Sequence, residues 1–191
     1  NSLETIVGKF SVKDYIPTSF VALNEFMKGW SKGYPNVIMA RSSHGKSSFI
    51  ANEAMYQVKK GNKVLVISSE EDDVTFWRRI TAIEFSLSVE LLRDGYALSE
   101  KQIKQLKDKY KGLKFIYKNA YSELQEYLKL VYKEYDMIFI DHITSITYPG
   151  TGLQALINGI INLVNFEKSL LQSYGNVVII NVNQVNEKQV S

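Results

Sequence analysis

The chain has 191 residues, 45% of them apolar, so it can bury one sizeable core, and its length favours a single domain. Cysteine is absent, no apolar run approaches the roughly 20 residues that cross a bilayer, and no segment has the pattern of a signal peptide. We therefore expect a soluble, cytoplasmic protein without disulfides, thiolate metal sites or a membrane partner. The net charge of +3 permits a nucleic-acid partner without arguing for one.

Apolar runs of strand length alternate with helical patterns along the chain, which is typical of a parallel sheet covered by helices. Strands are predicted over residues 36–40, 63–68, 114–117, 137–141 and 176–181. Helices are predicted over residues 46–60, 99–110, 121–135 and 152–174, and Ser99 opens the second of them with a capping box. The predicted fold class is thus α/β, with a mostly parallel five-stranded sheet flanked by helices.

The segment between the first predicted strand and the first helix has the pattern of a phosphate-binding loop. It consists of Ala40, Arg41, Ser42, Ser43, His44, Gly45, Lys46 and Ser47, with Ser48 following in the helix. Backbone N–H groups of such a loop surround phosphates, and the helix dipole adds to the attraction. Gly45 lets the backbone approach the ligand, Lys46 neutralises the β- and γ-phosphates, and Ser47 offers a hydroxyl to Mg²⁺. An ordinary helix start is the alternative, but the preceding strand favours a nucleoside triphosphatase.

Two apolar strands end in carboxylates. Asp141 ends the strand 137–141, at the sheet edge where ligands of parallel α/β proteins bind, and is predicted to hold Mg²⁺. His142 follows where many such enzymes carry a second acid as the general base, so the base is expected from another strand. Glu70, just after the strand 63–68, is predicted to be that base. The next three acids are interpreted as charges at a helix N-terminus: Glu71, Asp72 and Asp73.

Polar residues follow the last predicted strand. Gln184 in the run Val182-Asn183-Gln184 is placed to hydrogen-bond the γ-phosphate or the attacking water, and to report hydrolysis to residues 185–191. The two histidines do not form a ligand set. We interpret His44 as a loop residue whose backbone matters and His142 as a packing residue.

In their order and spacing these motifs resemble the RecA-type ATPase domain of DnaB-family replicative helicases. The resemblance extends over nearly the whole chain from Ile16 onward. The matching segments are Ile16-Pro17-Thr18-Ser19-Phe20 with Leu23, the loop of residues 40–47, Ser68-Ser69-Glu70, Arg78-Arg79, Leu91-Leu92-Arg93-Asp94-Gly95 with Leu98-Ser99, Asp141, and Gln184-Val185-Asn186. The chain departs from the family at His142, where the family usually has tyrosine.

The resemblance implies a ring-shaped, hexameric motor that hydrolyses ATP or another NTP with Mg²⁺ and translocates on single-stranded DNA. It implies catalytic roles for Lys46, Glu70 and Gln184, and Mg²⁺ coordination by Ser47 and Asp141. The implied partners are further copies of the chain and a primase or helicase loader, in the cytoplasm of a bacterial cell or a phage-infected host.

The chain starts at Asn1 without an initiator methionine, so a fragment of a longer protein is expected. By comparison with the family, residues 1–15 are a linker remnant, and residues 16–191 are an ATPase domain without the later strands that bear a DNA-contact loop and an arginine finger. Such a fragment is expected to bind nucleotide better than it hydrolyses it, because a missing arginine finger lowers the rate by orders of magnitude.

Two loops are available for single-stranded DNA. They are residues 144–151, where Tyr148 is the candidate for base stacking, and the segment after Gln184, which offers Lys188. Two other functional classes share the motifs: a RecA-type recombinase that forms filaments, and a nucleotide-binding regulatory module that does not hydrolyse. An AAA+ helicase loader is disfavoured, because His142 stands where such proteins carry an acid.

Overall fold

The computed structural model describes residues 15–185, and a five-stranded sheet lies at its centre. Its strands are β3 (Asn36–Arg41), β4 (Val64–Ser68), β5 (Leu113–Tyr117), β6 (Met137–Asp141) and β7 (Val178–Val185). Their order in the sheet is β3-β7-β6-β4-β5, and all four pairings are parallel. Two short strands, β1 (Tyr15–Ile16) and β2 (Trp30–Ser31), form a separate antiparallel pair.

Helices cover both faces of the five-stranded sheet. They are α1 (Val21–Met27), α2 (Lys46–Lys59), α3 (Asp73–Phe85), α4 (Val89–Arg93), α5 (Glu100–Lys109), α6 (Tyr121–Val131), with a 3-10 turn at Tyr132–Glu134, and α7 (Gly152–Ser173). The predicted α/β class is therefore confirmed. In the described part of the chain, no helix combines the length and apolar character needed to cross a membrane.

Most predicted elements agree with the structure to within one residue at each end. The last strand does not, because β7 runs to Val185, so that Gln184 lies inside the strand and not after it. The helix predicted over 121–135 ends at Val131 and continues as the 3-10 turn, and the β1–β2 pair is not among the predicted elements. The predicted linker of residues 1–15 lies outside the described residues except for Tyr15, and so do residues 186–191.

The core consists of two apolar layers, one on each face of the sheet. Val64 and Val66 of β4 pack with residues of α2 and α3, whereas Leu65 and Ile67 pack with residues of α6 and α7. Because successive side chains of a strand point to opposite faces, strands covered on both sides are apolar throughout. This accounts for the continuous apolar runs of β4 and β6 in the sequence.

A buried glutamate ties the segment before α1 to α2. Glu53 is fully buried, and its carboxylate accepts hydrogen bonds from the backbone and hydroxyl of Ser19, from Trp30 Nε1 and from Gln57 Nε2, at 2.5–2.9 Å. A buried charge is tolerated when donors satisfy it in this way. The contacts hold α2, whose first turn continues the predicted phosphate loop.

The loop between β6 and α7 packs tightly against that helix. Tyr148 is buried and donates a hydrogen bond to the carbonyl oxygen of Ile143 at 2.9 Å. Its ring lies so close to Gly159 that a Cβ atom there would approach the ring to 2.1 Å. The prediction that Tyr148 stacks on DNA bases is therefore wrong for this structure, because the ring is used in packing.

The carboxyl ends of four strands meet at one edge of the sheet. Ser68 of β4 is in register with Asp141 of β6, and Asp141 is in register with Val182 of β7. Ala40 of β3 is in register with Gln184. Since β7 lies between β3 and β6, it places Gln184 between the phosphate loop and the strand that carries Asp141.

Candidate functional site

A cavity of about 420 Å³ opens at this edge of the sheet. It brings together the three predicted catalytic residues and both predicted Mg²⁺ ligands. Its lining consists of Ser42, Ser43, Lys46, Ser47, Glu70, Glu71, Asp72, Thr75, Asp141 and Gln184. Residues from the loop, from the ends of three strands and from the start of α3 thus surround one space.

The phosphate loop begins where β3 ends. Ala40 and Arg41 still belong to β3, so residues 42–45 form the connection to α2. Gly45 has a φ of 83°, a left-handed backbone conformation that favours glycine. Lack of space does not explain the glycine, because a Cβ atom there would have no protein atom within 4 Å in the described structure. α2 has no side-chain cap, and the N–H groups of its first turn have no partner within a helix. Unpaired N–H groups at a helix N-terminus are a binding site for phosphate oxygens.

One further residue of the loop, His44, and one of the first helical turn, Ser48, are exposed. His44 lies in the loop, as predicted, and its Nδ1 atom lies 2.7 Å from the carbonyl oxygen of Ser42. Ser48 lies in the first turn of α2, where its carbonyl oxygen accepts a hydrogen bond from Asn52.

Lys46 is in contact with Gln184. The Nζ atom of Lys46 donates to Gln184 Oε1 at 3.3 Å, across the boundary between α2 and β7. The positive charge of Lys46 also acts to lower the pKa of Asp141. The lysine ammonium thus contacts the end of β7 and acts electrostatically on the carboxylate at the end of β6.

Asp141 is buried, and its electrostatic surroundings favour a cation. Burial, together with the negative charges of Glu70 and Glu71, raises the pKa of Asp141 to about 6, although Lys46 and Arg79 oppose the change. Its Oδ1 atom is buried and makes no hydrogen bond within the described residues. A buried carboxylate oxygen without a donor is stabilised by a bound cation.

The donor set fits magnesium bound together with a nucleotide. Across residues 15–185, no group of three or more His, Asp and Glu side chains is arranged to hold a metal by itself. The cavity instead offers the Asp141 carboxylate and the Ser47 hydroxyl. Mg²⁺ in nucleotide sites takes one or two protein ligands and completes its shell with water and phosphate oxygens.

Three acids after β4 line the cavity, and within residues 15–185 only Glu71 among them forms an ion pair with arginine. The Glu70 side chain is 60% exposed and lines the cavity. Glu71 is bound at both carboxylate oxygens by Arg79 of α3, at 2.7 and 2.8 Å. Asp72 caps α3 by accepting a hydrogen bond from the backbone of Thr75, in agreement with its interpretation as a helix N-terminal acid.

The prediction that His142 is a packing residue is incomplete. The ring is buried, as predicted, but both of its nitrogens have polar partners. Nε2 lies 2.9 Å from Glu70 Oε2 and 2.9 Å from Ser145 Oγ, and Nδ1 lies 2.9 Å from Thr144 Oγ1. Burial lowers the pKa of His142, while the charge of Glu70 opposes that effect. The run His142-Ile143-Thr144-Ser145 is the sequence signal for the two local contacts, whereas the local sequence does not signal the contact with Glu70.

Comparisons with known proteins agree with the geometry of the site. Residues 15–190 match the family described as the DnaB-like helicase C terminal domain. The chain is 28% identical over 138 residues to the replicative DNA helicase DnaB of Helicobacter pylori (strain ATCC 700392 / 26695). The matched segment covers 67% of this chain and 28% of that protein. The chain therefore spans less than a third of the length of this curated relative.

Two solved structures share the fold. One is the structure of a DnaB-like replicative helicase and its interactions with primase, with a TM-score of 0.78 and 17% sequence identity. The alignment with it covers 98% of this chain and 49% of that one. The other is an ATPase domain, with a TM-score of 0.77 and 17% identity, covering 97% of this chain and 70% of that one. Because the family match extends over nearly every residue, the chain belongs to the DnaB-like helicase C-terminal domain family and has its RecA-like fold.

Proposed function

We propose that this chain is the motor domain of a replicative DNA helicase, which binds ATP or another NTP with Mg²⁺ and hydrolyses its γ-phosphate. The observation that carries the proposal is the convergence of Lys46, Glu70, Asp141 and Gln184 on one cavity next to the loop at the start of α2. Phosphoryl transfer needs little from a protein beyond positioning and charge stabilisation, and these four side chains supply both.

Nucleotide binding is assigned to the loop and to α2. The phosphates accept hydrogen bonds from the N–H groups of the loop and of the first helical turn, and Lys46 neutralises the β- and γ-phosphate charge. Ser47 and Asp141 are the residues proposed to hold Mg²⁺, which supplies positive charge to the phosphate oxygens when bound. The orphaned Oδ1 atom of Asp141 supports this assignment.

Glu70 is the proposed general base. Water attacks the γ-phosphorus in line with the bond to the β-phosphate oxygen, that bond breaks, and the proton of the water passes to the Glu70 carboxylate. The exposed position of Glu70 in the cavity supports this role. Glu71 is less suited to it, because Arg79 occupies both of its carboxylate oxygens.

Gln184 is proposed to sense the γ-phosphate. In the described structure it accepts a hydrogen bond from Lys46, the same ammonium that a γ-phosphate attracts. Nucleotide binding therefore competes with the Lys46–Gln184 contact, and loss of phosphate restores it. A side chain with two arrangements of this kind is what coupling to a second site requires.

Single-stranded DNA, a hexameric ring and a primase or helicase loader are proposed as partners, in the cytoplasm. Family membership and the replicative helicases among the relatives support them. Tyr148 does not support base stacking, since its ring is buried, and residues 186–191 lie outside the described part of the chain. A RecA-type filament and a regulatory module remain the alternatives. Electron microscopy with nucleotide and DNA distinguishes rings from filaments.

The test combines calorimetric binding with phosphate release for three variants. Lys46→Ala is expected to abolish detectable binding of Mg²⁺–nucleotide while leaving the circular dichroism spectrum unchanged. In the assembled protein, Glu70→Gln is expected to keep nucleotide affinity within a few-fold and to lower turnover by at least roughly 100-fold, the usual scale for a positioned base. Glu71→Gln is the matched control, because it makes the same change in the neighbouring residue that Arg79 already binds.

Each outcome decides one part of the proposal. Unchanged affinity in folded Lys46→Ala would exclude the loop as the phosphate site. A larger loss of turnover in Glu71→Gln than in Glu70→Gln would assign the base to Glu71. Absence of hydrolysis by the assembled protein with single-stranded DNA would favour the regulatory module.

A further inference from the structure

The buried ring of His142 is the centre of a hydrogen-bonded chain that the proposed reaction does not use. Its Nε2 atom lies 2.9 Å from Glu70 Oε2, and its Nδ1 atom lies 2.9 Å from Thr144 Oγ1. Thr144 Oγ1 also lies 3.0 Å from Asn183 Oδ1 of β7, and its single hydroxyl proton is donated either to that oxygen or to Nδ1. Three contacts thus connect the proposed general base to β7 without a gap.

The contact at Nε2 has a defined polarity. An ionised carboxylate only accepts hydrogen bonds, so Nε2 is the donor in the pair with Glu70. Ser145 Oγ, at 2.9 Å from the same nitrogen, is placed to share that proton as a second acceptor. With neighbours at both nitrogens and burial of the ring, His142 has a fixed orientation, while the Glu70 side chain is 60% exposed.

An exposed glutamate side chain samples several rotamers in water, and ordering it has an entropic cost. A base that must take a proton from a water in line with the γ-phosphate depends on its position, and misplacement by about 1 Å lowers rates substantially. A rigid neighbour that binds one carboxylate oxygen reduces this freedom and leaves the other oxygen for the water.

The two faces of β7 make different contacts. Asn183 and Gln184 are consecutive in the strand, so their side chains point to opposite faces. Gln184 contacts Lys46 on one face, and Asn183 contacts Thr144 on the other. A displacement of β7 would therefore change the contact of Gln184 with Lys46 and, through Thr144 and His142, the position of Glu70.

We infer that His142 is a positioning residue, which orients the Glu70 carboxylate for the attacking water and connects it through Thr144 and Asn183 to β7. The inference rests on the proposed role of Glu70 as the general base. It concerns the geometry of Glu70 and not nucleotide binding, since His142 contacts neither the phosphate loop nor Lys46 through any hydrogen bond described above.

A double-mutant cycle on the assembled protein tests the inference. His142→Phe keeps the ring shape and removes both nitrogens, and it is expected to lower kcat by about 10-fold or more while KM for Mg²⁺–ATP stays within about two-fold. His142→Gln keeps a donor near the position of Nε2 and should recover most of the lost turnover. In the Glu70→Gln background, His142→Phe should cause no further loss, because it acts through Glu70. Tyr132→Phe is the control, since it removes a 2.9 Å hydrogen bond to Ser173 at the opposite edge of the sheet.

A second readout does not depend on activity. The chain contains only two histidines, so the ring nitrogens of His44 and His142 can be assigned by ¹⁵N-labelled histidine NMR of the parent and His44→Gln proteins. Glu70→Gln is expected to shift the Nε2 resonance of His142 and to leave that of His44 unchanged. This measurement remains decisive if His142→Phe fails to fold.

The failures of the two proposals are distinguishable. Full turnover in Glu70→Gln would reject Glu70 as the base and remove the premise of the inference. A large effect of Glu70→Gln, combined with an equal loss from His142→Phe in both backgrounds, would overturn the positioning role alone. An unshifted Nε2 resonance of His142 in Glu70→Gln would overturn it as well.

Discussion

Glu167 of α7 is a buried acid that makes the stability of the domain depend on pH. It is fully buried, and Oε2 accepts a hydrogen bond from Asn181 Nδ2 at 2.6 Å. Its Oε1 atom and the Oδ1 atom of Asn181 make no hydrogen bond within residues 15–185. Burial raises the pKa of Glu167 from 4.5 to about 8, although the hydrogen bond from Asn181 opposes this. The carboxyl group is therefore protonated in the folded protein at neutral pH.

The sign of the effect follows from proton linkage. Between the unfolded pKa and the folded pKa, the folded state binds more protons than the unfolded state, so the free energy of unfolding falls as the pH rises. As the pH rises from below the unfolded pKa to above the folded pKa, the free energy of unfolding falls by about 5 kcal/mol in total. About 2 kcal/mol of this loss occurs between about pH 6 and pH 8. Tyr121 and Tyr148, which face Glu167, have pKa values raised by burial and stay neutral in this range.

Glu167→Gln should abolish this dependence, because the amide has nearly the same shape and does not ionise. We expect the difference in free energy of unfolding between Glu167→Gln and the parent to change by about 2 kcal/mol in favour of the variant between pH 6 and pH 8. The assay is urea denaturation at several pH values, and the subtraction removes the contributions of all other groups. Glu126→Gln, at an exposed position of α6, is the matched control.

Two results would refute the reasoning. A constant difference between variant and parent across this pH range would show that Glu167 titrates at the same pH in the folded and unfolded states. An equal change in Glu126→Gln would show that the effect belongs to net charge and not to burial.

Three further predictions concern single positions. Gly159→Ala should lower the melting temperature and reduce the free energy of unfolding by at least about 2 kcal/mol, because the added Cβ would lie 2.1 Å from the Tyr148 ring. This loss is expected although alanine usually favours helices. An unchanged melting temperature would show that the ring can move aside. Asp141→Asn should keep metal-free nucleotide binding in calorimetry and lose its enhancement by Mg²⁺, whereas enhancement equal to that of the parent would place the metal elsewhere. Gln184→Ala should leave basal hydrolysis mostly intact and reduce its stimulation by single-stranded DNA in the assembled protein, and equal stimulation would exclude a coupling role.

The sequence predicts the phosphate loop and the strand-end acids because their signals are local. A strand, a short loop that ends at Gly45, and a helix that begins at Lys46 are consecutive in the chain. Asp141 directly follows the apolar run that places it at the edge of the sheet. Since parallel strands end at the same edge of the sheet, the sequence pattern also predicts that the phosphate loop and the strand-end acids lie close together. The cavity is lined by residues of both groups.

The sequence predicts β7 and His142 less well, because their partners are distant in the chain. Asn181 and Asn183 interrupt the apolar pattern of the last strand and suggest an early end. Within the strand, Asn181 Nδ2 donates to Glu167 of α7, and Asn183 Oδ1 contacts Thr144. The burial of His142 is correctly predicted, but its contact with Glu70 joins two strands and leaves no trace in local spacing. Hydrogen bonds of this kind depend on the tertiary fold.

The bridge made by His142 has a consequence for how related sequences vary. A histidine ring has two nitrogens and can contact Glu70 and Thr144 together, whereas a tyrosine side chain has one polar atom at its tip. A relative with tyrosine at this position would lose the simultaneous contact with both partners, so the polar groups of Thr144 and Asn183 would no longer be connected to Glu70 in this way. We expect these three positions to change together during evolution, so that histidine is inherited with both polar partners and tyrosine without them.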